Sequence, residues 1–177
     1  LWPLTGEDTP DDVLLVTLNP MTRDETPRSA ADIMDRLNEI VFNAPLVAEL
    51  KKAGWDSARA PVFIQSFEVA NLKRLKGMTK VRLIQLMDAK GGPADGAEPS
   101  YAAMATPAGL AKVATYAWGI GPNKDLIAAT TAITPLIRDA HAAGLRVHPW
   151  TFRAENYFLP SDWREGINPR GHGRLSD

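Results

Sequence analysis

The sequence contains no cysteine among its 177 residues. A chain without thiols cannot use a cysteine nucleophile, bind a metal through thiolates or form a disulfide. Histidine is also scarce, since His141, His148 and His172 are the only three. Any metal site or acid–base site must therefore use these imidazoles or carboxylate side chains.

The sequence also lacks an excess of positive charge and a long apolar run. Its formal net charge is −1 and its isoelectric point is about 6.4. Because binding to a phosphate backbone needs a basic surface, we expect no nucleic-acid partner. No apolar run approaches the roughly 20 residues of a membrane span, and no stretch is typical of a signal peptide. The chain starts at Leu1 rather than at a methionine, so a targeting segment outside this sequence is compatible with the pattern.

Strand-like and helix-like segments alternate about five times along a chain of globular composition, with 45% hydrophobic residues. Apolar runs predict strands, and they lie at residues 12–20, 61–67, 81–87, 116–124 and 145–152. The intervening segments predict helices at residues 29–55, with a break at Pro45 and an end at Gly54, at 68–77, from Thr106 onward, and at 126–144, with an end at Gly144. This alternation predicts an α/β protein with parallel strands, as an open sheet or a closed barrel.

Polar and aromatic side chains lie where the predicted strands end. Because parallel sheets bind ligands at the carboxyl ends of their strands, we expect these side chains to converge on one surface, the carboxyl rim. Taken singly, a strand-end glutamine most often caps backbone groups, and a strand tryptophan most often packs in the core. The candidates are Asn19, Gln65, Glu68, Gln85, Asp88, Asn123, Lys124, Trp150, Arg153, Glu155 and Asn156.

Three segments carry a family resemblance: "PVFIQSFEVANLKRL", "TPAGLAKVATYAWGIGPNKDLI" and "LIRDAHAAGLRVHPWTFRAENYFLP". From about Pro45 to the end, the chain resembles the carboxyl-terminal half of bacterial glycerophosphodiester phosphodiesterases, in the longer form typically found in the periplasm. The resemblance implies a partial (β/α)8 TIM-barrel-like fold with about five βα units, in which the first and last barrel strands are missing. It also implies hydrolysis of a small-molecule glycerophosphodiester to an alcohol and sn-glycerol 3-phosphate, in lipid and glycerol metabolism.

The same resemblance implies a substrate pocket lined by Gln65, Phe67, Trp150 and Arg153. These residue types suit the substrate, since arginine can bind phosphate through two hydrogen bonds and an aromatic plane can pack on the glycerol carbons. A divalent cation, Ca²⁺ or Mg²⁺, is implied as cofactor.

The catalytic groups of that family are not recognisable in this sequence. The family uses a His-Arg motif on the first strand, a histidine after the second, a Glu-x-Asp and a glutamate on the third strand. Alignment of Asn19-Pro20 with the family's His-Pro places Val16 at the metal-binding glutamate, and valine cannot bind Ca²⁺. We therefore assign no catalytic residue and no metal ligand, and we expect His148 to pack locally.

A second resemblance covers "TPDDVLLVTLNPMTRDETPRSAADIMDRLNEIVFNAPLVAEL". This segment is similar to the late part of bacterial patatin-like phospholipases, which are serine acyl hydrolases with a Gly-x-Ser-x-Gly elbow and an Asp-Gly motif. Neither motif occurs here. The two resemblances divide the chain into residues 1–44 and 45–177, and they leave a chimera, a recombined reading frame and a designed splice open.

Three functions stay open on this basis. The first candidate is a glycerophosphodiester phosphodiesterase. The second is a catalytically incomplete fragment that binds glycerol phosphate weakly through Gln65, Trp150 and Arg153, and the third is a remnant of an acyl hydrolase. By family the first is favoured, and for the isolated polypeptide the second.

Five βα units that form an open sheet leave apolar faces or edge strands for a neighbour to cover. We therefore predict self-association of the purified chain, measured by sedimentation velocity at several concentrations. A monodisperse monomer at all of them would contradict this expectation.

Overall fold

The structure, a computed structural model, describes residues 14–18, 43–129, 132–159 and 161–174. Within these ranges no helix is long and apolar enough to cross a membrane. The predicted helical stretch before Asn43 and the strand-end residue Asn19 lie outside the described residues. The division into residues 1–44 and 45–177 therefore stays a prediction.

Strands and helices alternate along most of the described chain. The strands are β1 Leu14–Leu18, β2 Val62–Ser66, β3 Arg82–Met87, β4 Gly119–Pro122, β5 Ala128–Ala129, β6 Ala132–Ile133 and β7 Arg146–Val147. The α-helices are α1 Ala44–Lys52, α2 Val69–Met78, α3 Tyr101–Met104, α4 Pro107–Val113 and α5 Leu136–Ala142. Short 3-10 turns follow at Lys124–Leu126, Asn156–Phe158 and Ser161–Trp163.

One parallel sheet organises these elements. Its strand order is β1-β2-β3-β4-β7, and every neighbouring pair is parallel. Strands β5 and β6 form a separate antiparallel pair. The prediction of an α/β fold with parallel strands is confirmed, and the order of the strands is consistent with part of a (β/α)8 barrel.

The helix-covered face of the sheet forms the main hydrophobic core. Val62 and Ile64 of β2 are fully buried there and pack in one cluster with Leu72 and Leu75 of α2. Side chains alternate between the two faces of a strand, so the intervening Phe63 lies on the opposite face. Burial of each large aliphatic side chain contributes about 2 kcal/mol to stability.

The opposite face of the sheet is covered as well. Phe63, Ile84 and Leu86 lie on it and are 7%, 0% and 3% exposed. The sequence predicts exposed apolar sheet faces, but these three side chains are buried. Large exposed apolar side chains lie mainly after β7, at Phe152, Tyr157, Phe158, Trp163 and Ile167.

Strand β4 carries two glycines at points of close approach. A Cβ placed on Gly119 would lie 2.7 Å from the carbonyl oxygen of Arg146, and one on Gly121 would lie 2.6 Å from Cδ2 of Leu86. Such distances are shorter than van der Waals contact. A side chain at either position would therefore push a neighbouring strand or side chain away from β4.

The start of α4 agrees with the sequence, and α3 was not predicted. Thr106 Oγ1 accepts a hydrogen bond from the Gly109 amide at 3.1 Å, and Pro107 occupies the first turn. Ser100 caps α3 in the same way, at 3.1 Å from the Ala103 amide. A helix of only four residues inside a loop rich in glycine and proline has no periodic pattern to reveal it.

The helix predicted over residues 126–144 is wrong in its first half. Ala128–Ala129 and Ala132–Ile133 form the β5–β6 pair instead. Thr134 follows it and donates from its amide to the Ile127 carbonyl and from Oγ1 to the Leu126 carbonyl, each at 2.7 Å. Helix α5 begins only after Pro135, a residue that cannot donate an intrahelical hydrogen bond. The predicted end at Gly144 is confirmed by its φ of +79°.

A buried amide connects β3 to the chain on both sides. Gln85 Nε2 donates to the Phe67 carbonyl at 2.9 Å, and Oε1 accepts from the Tyr116 hydroxyl at 2.9 Å. Gln85 is 0% and Tyr116 6% exposed. Burial, followed by the charges of Glu98 and Asp95, raises the pKa of Tyr116, so its hydroxyl stays a donor at neutral pH.

We predict that Tyr116→Phe lowers the free energy of unfolding by about 1–3 kcal/mol, because it leaves the buried oxygen of Gln85 without a donor. Urea denaturation measures the loss. The matched control is Tyr157→Phe, which removes a hydroxyl from a side chain that is 71% exposed, and it should change little. Equal losses in the two variants would contradict the importance of the buried hydrogen bond.

Candidate functional site

Two of the predicted pocket residues meet at the carboxyl rim. Phe67 directly follows β2 and Trp150 lies just beyond β7. Their ring centroids are 5.8 Å apart and the rings are perpendicular, an arrangement that the opposite charges of ring face and ring edge favour. Tyr101 of α3 approaches Phe67 at 6.1 Å. We call Phe67, Tyr101 and Trp150 the aromatic wall.

The loop after β4 fixes the position of Trp150. The indole Nε1 donates to the Gly121 carbonyl at 2.7 Å, and the Trp150 amide donates to the Pro122 carbonyl at 3.0 Å. The Trp150 carbonyl accepts from the Lys124 amide at 2.7 Å. The half-buried indole is therefore held at its ring and at both sides of its backbone.

The same loop is bound to the end of β3. Asn123 Nδ2 donates to Asp88 Oδ1 at 2.9 Å, and the Asn123 amide donates to the Met87 carbonyl at 2.7 Å. Asp88, Asn123, Lys124 and Trp150 thus lie together on the carboxyl rim, as the sequence predicts. Hydrogen bonds thus connect the end of β3, the loop after β4 and Trp150.

The surroundings of Tyr101 are acidic. Burial, followed by the charges of Asp88, Asp95 and Glu68, raises its pKa to about 12. The Tyr101 hydroxyl is therefore protonated at neutral pH. No sequence pattern selects Tyr101, because its only signal is the capping Ser100 before a very short helix.

Gln65 and Arg153 are placed differently from the aromatic pair. Gln65 is half-buried on β2, in register with Thr17 and Ile84. Arg153 is exposed, and its guanidinium carbon lies 4.5 Å from the Phe158 ring centroid. Contacts among the described residues therefore join Phe67 to Trp150, whereas Arg153 packs on a ring of its own segment.

Three rim predictions are corrected by the structure. Gln85 faces the helix-covered core, where its hydrogen bonds stabilise the fold. Asn156 is 3% exposed and bonds to the Glu165 and Asn168 carbonyls at 2.7 and 2.9 Å, so it organises the last segment. The backbone of Glu155 forms an antiparallel β-bridge with the backbone of His172, in the same segment. Chain position after a strand does not show which face or loop a side chain joins.

The described residues do not fit a metal ion. No group of three or more histidine or acidic side chains in the described ranges is arranged to hold one. Asp88 Oδ1 already accepts from the Ala89 amide and from Asn123, and the two oxygens of Asp95 accept from the Ala70 and Ala97 amides. Val16 lies in register with Ile64. No step of a reaction is therefore assigned to a metal here.

Comparison with known proteins identifies the family. The family model for the glycerophosphoryl diester phosphodiesterase family matches residues 11–167, which is well over half of the chain. The chain belongs to this family. The match also includes most of the segment that resembles patatin-like phospholipases.

Curated relatives carry the same description. The chain is 33% identical over 136 residues to glycerophosphodiester phosphodiesterase GDPD6 of Arabidopsis thaliana, covering 70% of this chain and 37% of the relative. It is 30% identical over 131 residues to a glycerophosphodiester phosphodiesterase of Haemophilus influenzae, covering 60% and 35%. The chain thus spans little more than a third of the length of these relatives.

One solved structure overlaps in part. A protein of Agrobacterium tumefaciens described as a glycerophosphoryl diester phosphodiesterase aligns with a TM-score of 0.44 and 22% identity, over 62% of this chain and 38% of that chain.

His148 lies away from the aromatic wall. The centroid of its ring is 5.2 Å from that of the Phe63 ring, which lies on the sheet face opposite the helix-covered one. Burial, followed by the charge of Arg82, lowers the pKa of His148 from its ordinary 6.5. The folded protein therefore favours the neutral imidazole.

We predict that this histidine makes the free energy of unfolding decrease as the pH is lowered through the window just below pH 6.5. The unfolded chain takes up a proton near pH 6.5, whereas the folded chain resists it until lower pH, so the unfolded state binds more protons in this window. Denaturation at a series of pH values should show a shallower fall for His148→Gln than for the parent. His141→Gln, at an exposed helix position, is the control, and the same slope in all three proteins would contradict the assignment.

Proposed function

We propose that this chain forms part of the substrate-binding rim of a glycerophosphodiester phosphodiesterase. The observation that carries the proposal is the perpendicular pair of Phe67 and Trp150, from two strands of one parallel sheet, in a chain of this family. The reaction proposed for the whole protein is hydrolysis of a glycerophosphodiester to an alcohol and sn-glycerol 3-phosphate. The aromatic wall would pack against the glycerol carbons.

Arg153 is proposed to bind the phosphate. It is exposed and lies on the segment that follows Trp150. Its contact with the Phe158 ring is worth about 0.5–1 kcal/mol at an exposed site, and a hydrogen bond to a charged group is worth about 1.5–3 kcal/mol. A phosphate within reach would therefore draw the guanidinium from the ring, and a bidentate contact would fix its orientation.

The isolated chain is proposed to bind without hydrolysis. The family's His-Arg and Glu-x-Asp motifs do not occur in the sequence, and proton transfer and metal assistance are two main sources of rate enhancement. The divalent cation expected of the family, Ca²⁺ or Mg²⁺, has no fitting group of ligands in the described part of the chain. The proposal therefore separates ligand binding from turnover.

Three further expectations stand on the sequence. A periplasmic location and self-association through sheet edges are proposals that rest on the resemblance and on the open sheet. A patatin-like origin of residues 1–44 has motif resemblance as its support, and the family match that starts at residue 11 favours one family over most of the chain.

We predict that sn-glycerol 3-phosphate binds the isolated chain with a Kd on the order of 1 mM. Trp150→Ala should weaken binding about tenfold, because it removes one of the three rings of the aromatic wall. Isothermal titration calorimetry measures both values. Trp55→Ala, which removes an indole that is 40% exposed beyond α1, is the matched control and should bind like the parent.

Unchanged affinity of Trp150→Ala would reject the pocket. The same samples, incubated with glycerophosphocholine and Ca²⁺ or Mg²⁺, should release no glycerol 3-phosphate. Release that a chelator abolishes would show instead that the chain is a complete enzyme.

A further inference from the structure

The turn after β4 is the main support of Trp150. The turn consists of residues Pro122–Asp125. The Trp150 amide donates to the Pro122 carbonyl, and the Lys124 amide donates to the Trp150 carbonyl. The preceding Gly121 accepts from the indole Nε1. These contacts make the orientation of the indole depend on the position of the turn.

Asn123 fixes the turn from inside. Its Nδ2 donates to Asp88 Oδ1 at 2.9 Å, and its Oδ1 accepts from the Asp125 amide at 3.0 Å. Asp88 is itself fixed, because its Oδ1 accepts from the Ala89 amide at 2.7 Å. One amide side chain thus bridges the end of β3 to the far end of the turn.

We propose that Asp88 and Asn123 are positioning residues that set the orientation of Trp150 in the aromatic wall. Their hydrogen bond holds the β4 turn on β3, and the turn holds the indole beside Phe67. The pair acts through Trp150 and not by contact with substrate. The proposal rests on the proposed function for its effect on binding, whereas the orientation of the indole is measurable without a ligand.

The chemistry of the pair explains why an amide is needed at position 123. A carboxylate only accepts hydrogen bonds, and an amide offers a donor on one side and an acceptor on the other. Asn123 uses its donor toward Asp88 and its acceptor toward the Asp125 amide. An aspartate at position 123 keeps the size and the acceptor, loses the donor and places two carboxylates in contact, which is unfavourable.

An exchange of the two side chains provides a sharp test. In the parent, Asp88 Oδ1 accepts from both the Ala89 amide and Asn123 Nδ2. In the double variant Asp88→Asn/Asn123→Asp, the amide at position 88 can turn so that its oxygen accepts from the Ala89 amide while its nitrogen donates to the carboxylate at position 123. That carboxylate can still accept from the Asp125 amide. The hydrogen bonds are thereby restored with the donor and acceptor reversed, so the double variant should recover what Asn123→Asp loses.

The direct readout is ¹⁹F NMR of protein that contains 5-fluorotryptophan, with the Trp150 signal identified by its loss in Trp150→Phe. Asn123→Asp should shift and broaden this signal and leave the Trp55 signal unchanged, and the double variant should return it to the parent position. Affinity for sn-glycerol 3-phosphate should fall about tenfold in Asn123→Asp and recover to within about twofold in the double variant. In a Trp150→Ala background, Asn123→Asp should cause no further loss.

The proposal is overturned if the Trp150 signal is the same in Asn123→Asp and in the parent, or if a folded double variant fails to restore it. Additive losses in the Trp150→Ala background would also overturn it, because the pair would then act on the ligand by another route. If the parent chain does not bind sn-glycerol 3-phosphate at all, the proposed function fails, and the NMR comparison still decides the role of Asp88 and Asn123.

Discussion

Parallel pairing of the strands is the constraint on which the candidate site depends. The residues that follow β2, β3, β4 and β7 are far apart in sequence, and only a sheet in which these strands run in the same direction brings their ends to one edge. Phe67, Asp88, Asn123 and Trp150 come together for this reason. The buried amide of Gln85 reinforces the arrangement, because it bonds the centre of β3 to the chain at the end of β2 and to the segment before β4.

The rim combines two kinds of contact with different physical roles. The aromatic wall offers apolar area with little rotational freedom, which suits the carbon skeleton of a small ligand. The hydrogen bond from Asn123 to Asp88, which is 2.9 Å long and partly buried, helps to hold that area in one place. In the proposed function, the described residues supply a surface for ligand binding.

The sequence predicts the fold better than it predicts the site. Strands β2 and β3 and the start of α4 follow from apolar runs and from Thr106-Pro107, which are local signals. The β5–β6 pair was missed because the alanine-rich stretch before Pro135 has high helix propensity, and the pairing that overrides it depends on Thr134. Tyr101 was missed because its helix is too short to show a period.

The errors at the rim have a common cause. Gln85 and Asn156 stand near strand ends in the chain, yet each points into a packed region where it forms hydrogen bonds, Gln85 with the backbone and the Tyr116 hydroxyl and Asn156 with the backbone. Sequence spacing shows where a strand ends and not which way the next side chain turns. The pairing of Asp88 with Asn123 depends in the same way on the register of β3 and β4, which no local pattern reveals.

The two glycines of β4 have a consequence for how this architecture can diversify. At Gly119 the backbone of β7 occupies the space that a Cβ would need, so mutation there displaces a strand, whereas at Gly121 a Cβ requires the end of the Leu86 side chain to move. Position 119 of this strand therefore tolerates little change of side chain. New specificities must therefore arise in the loops beyond the strand ends, where a longer turn or a different ring is tolerated.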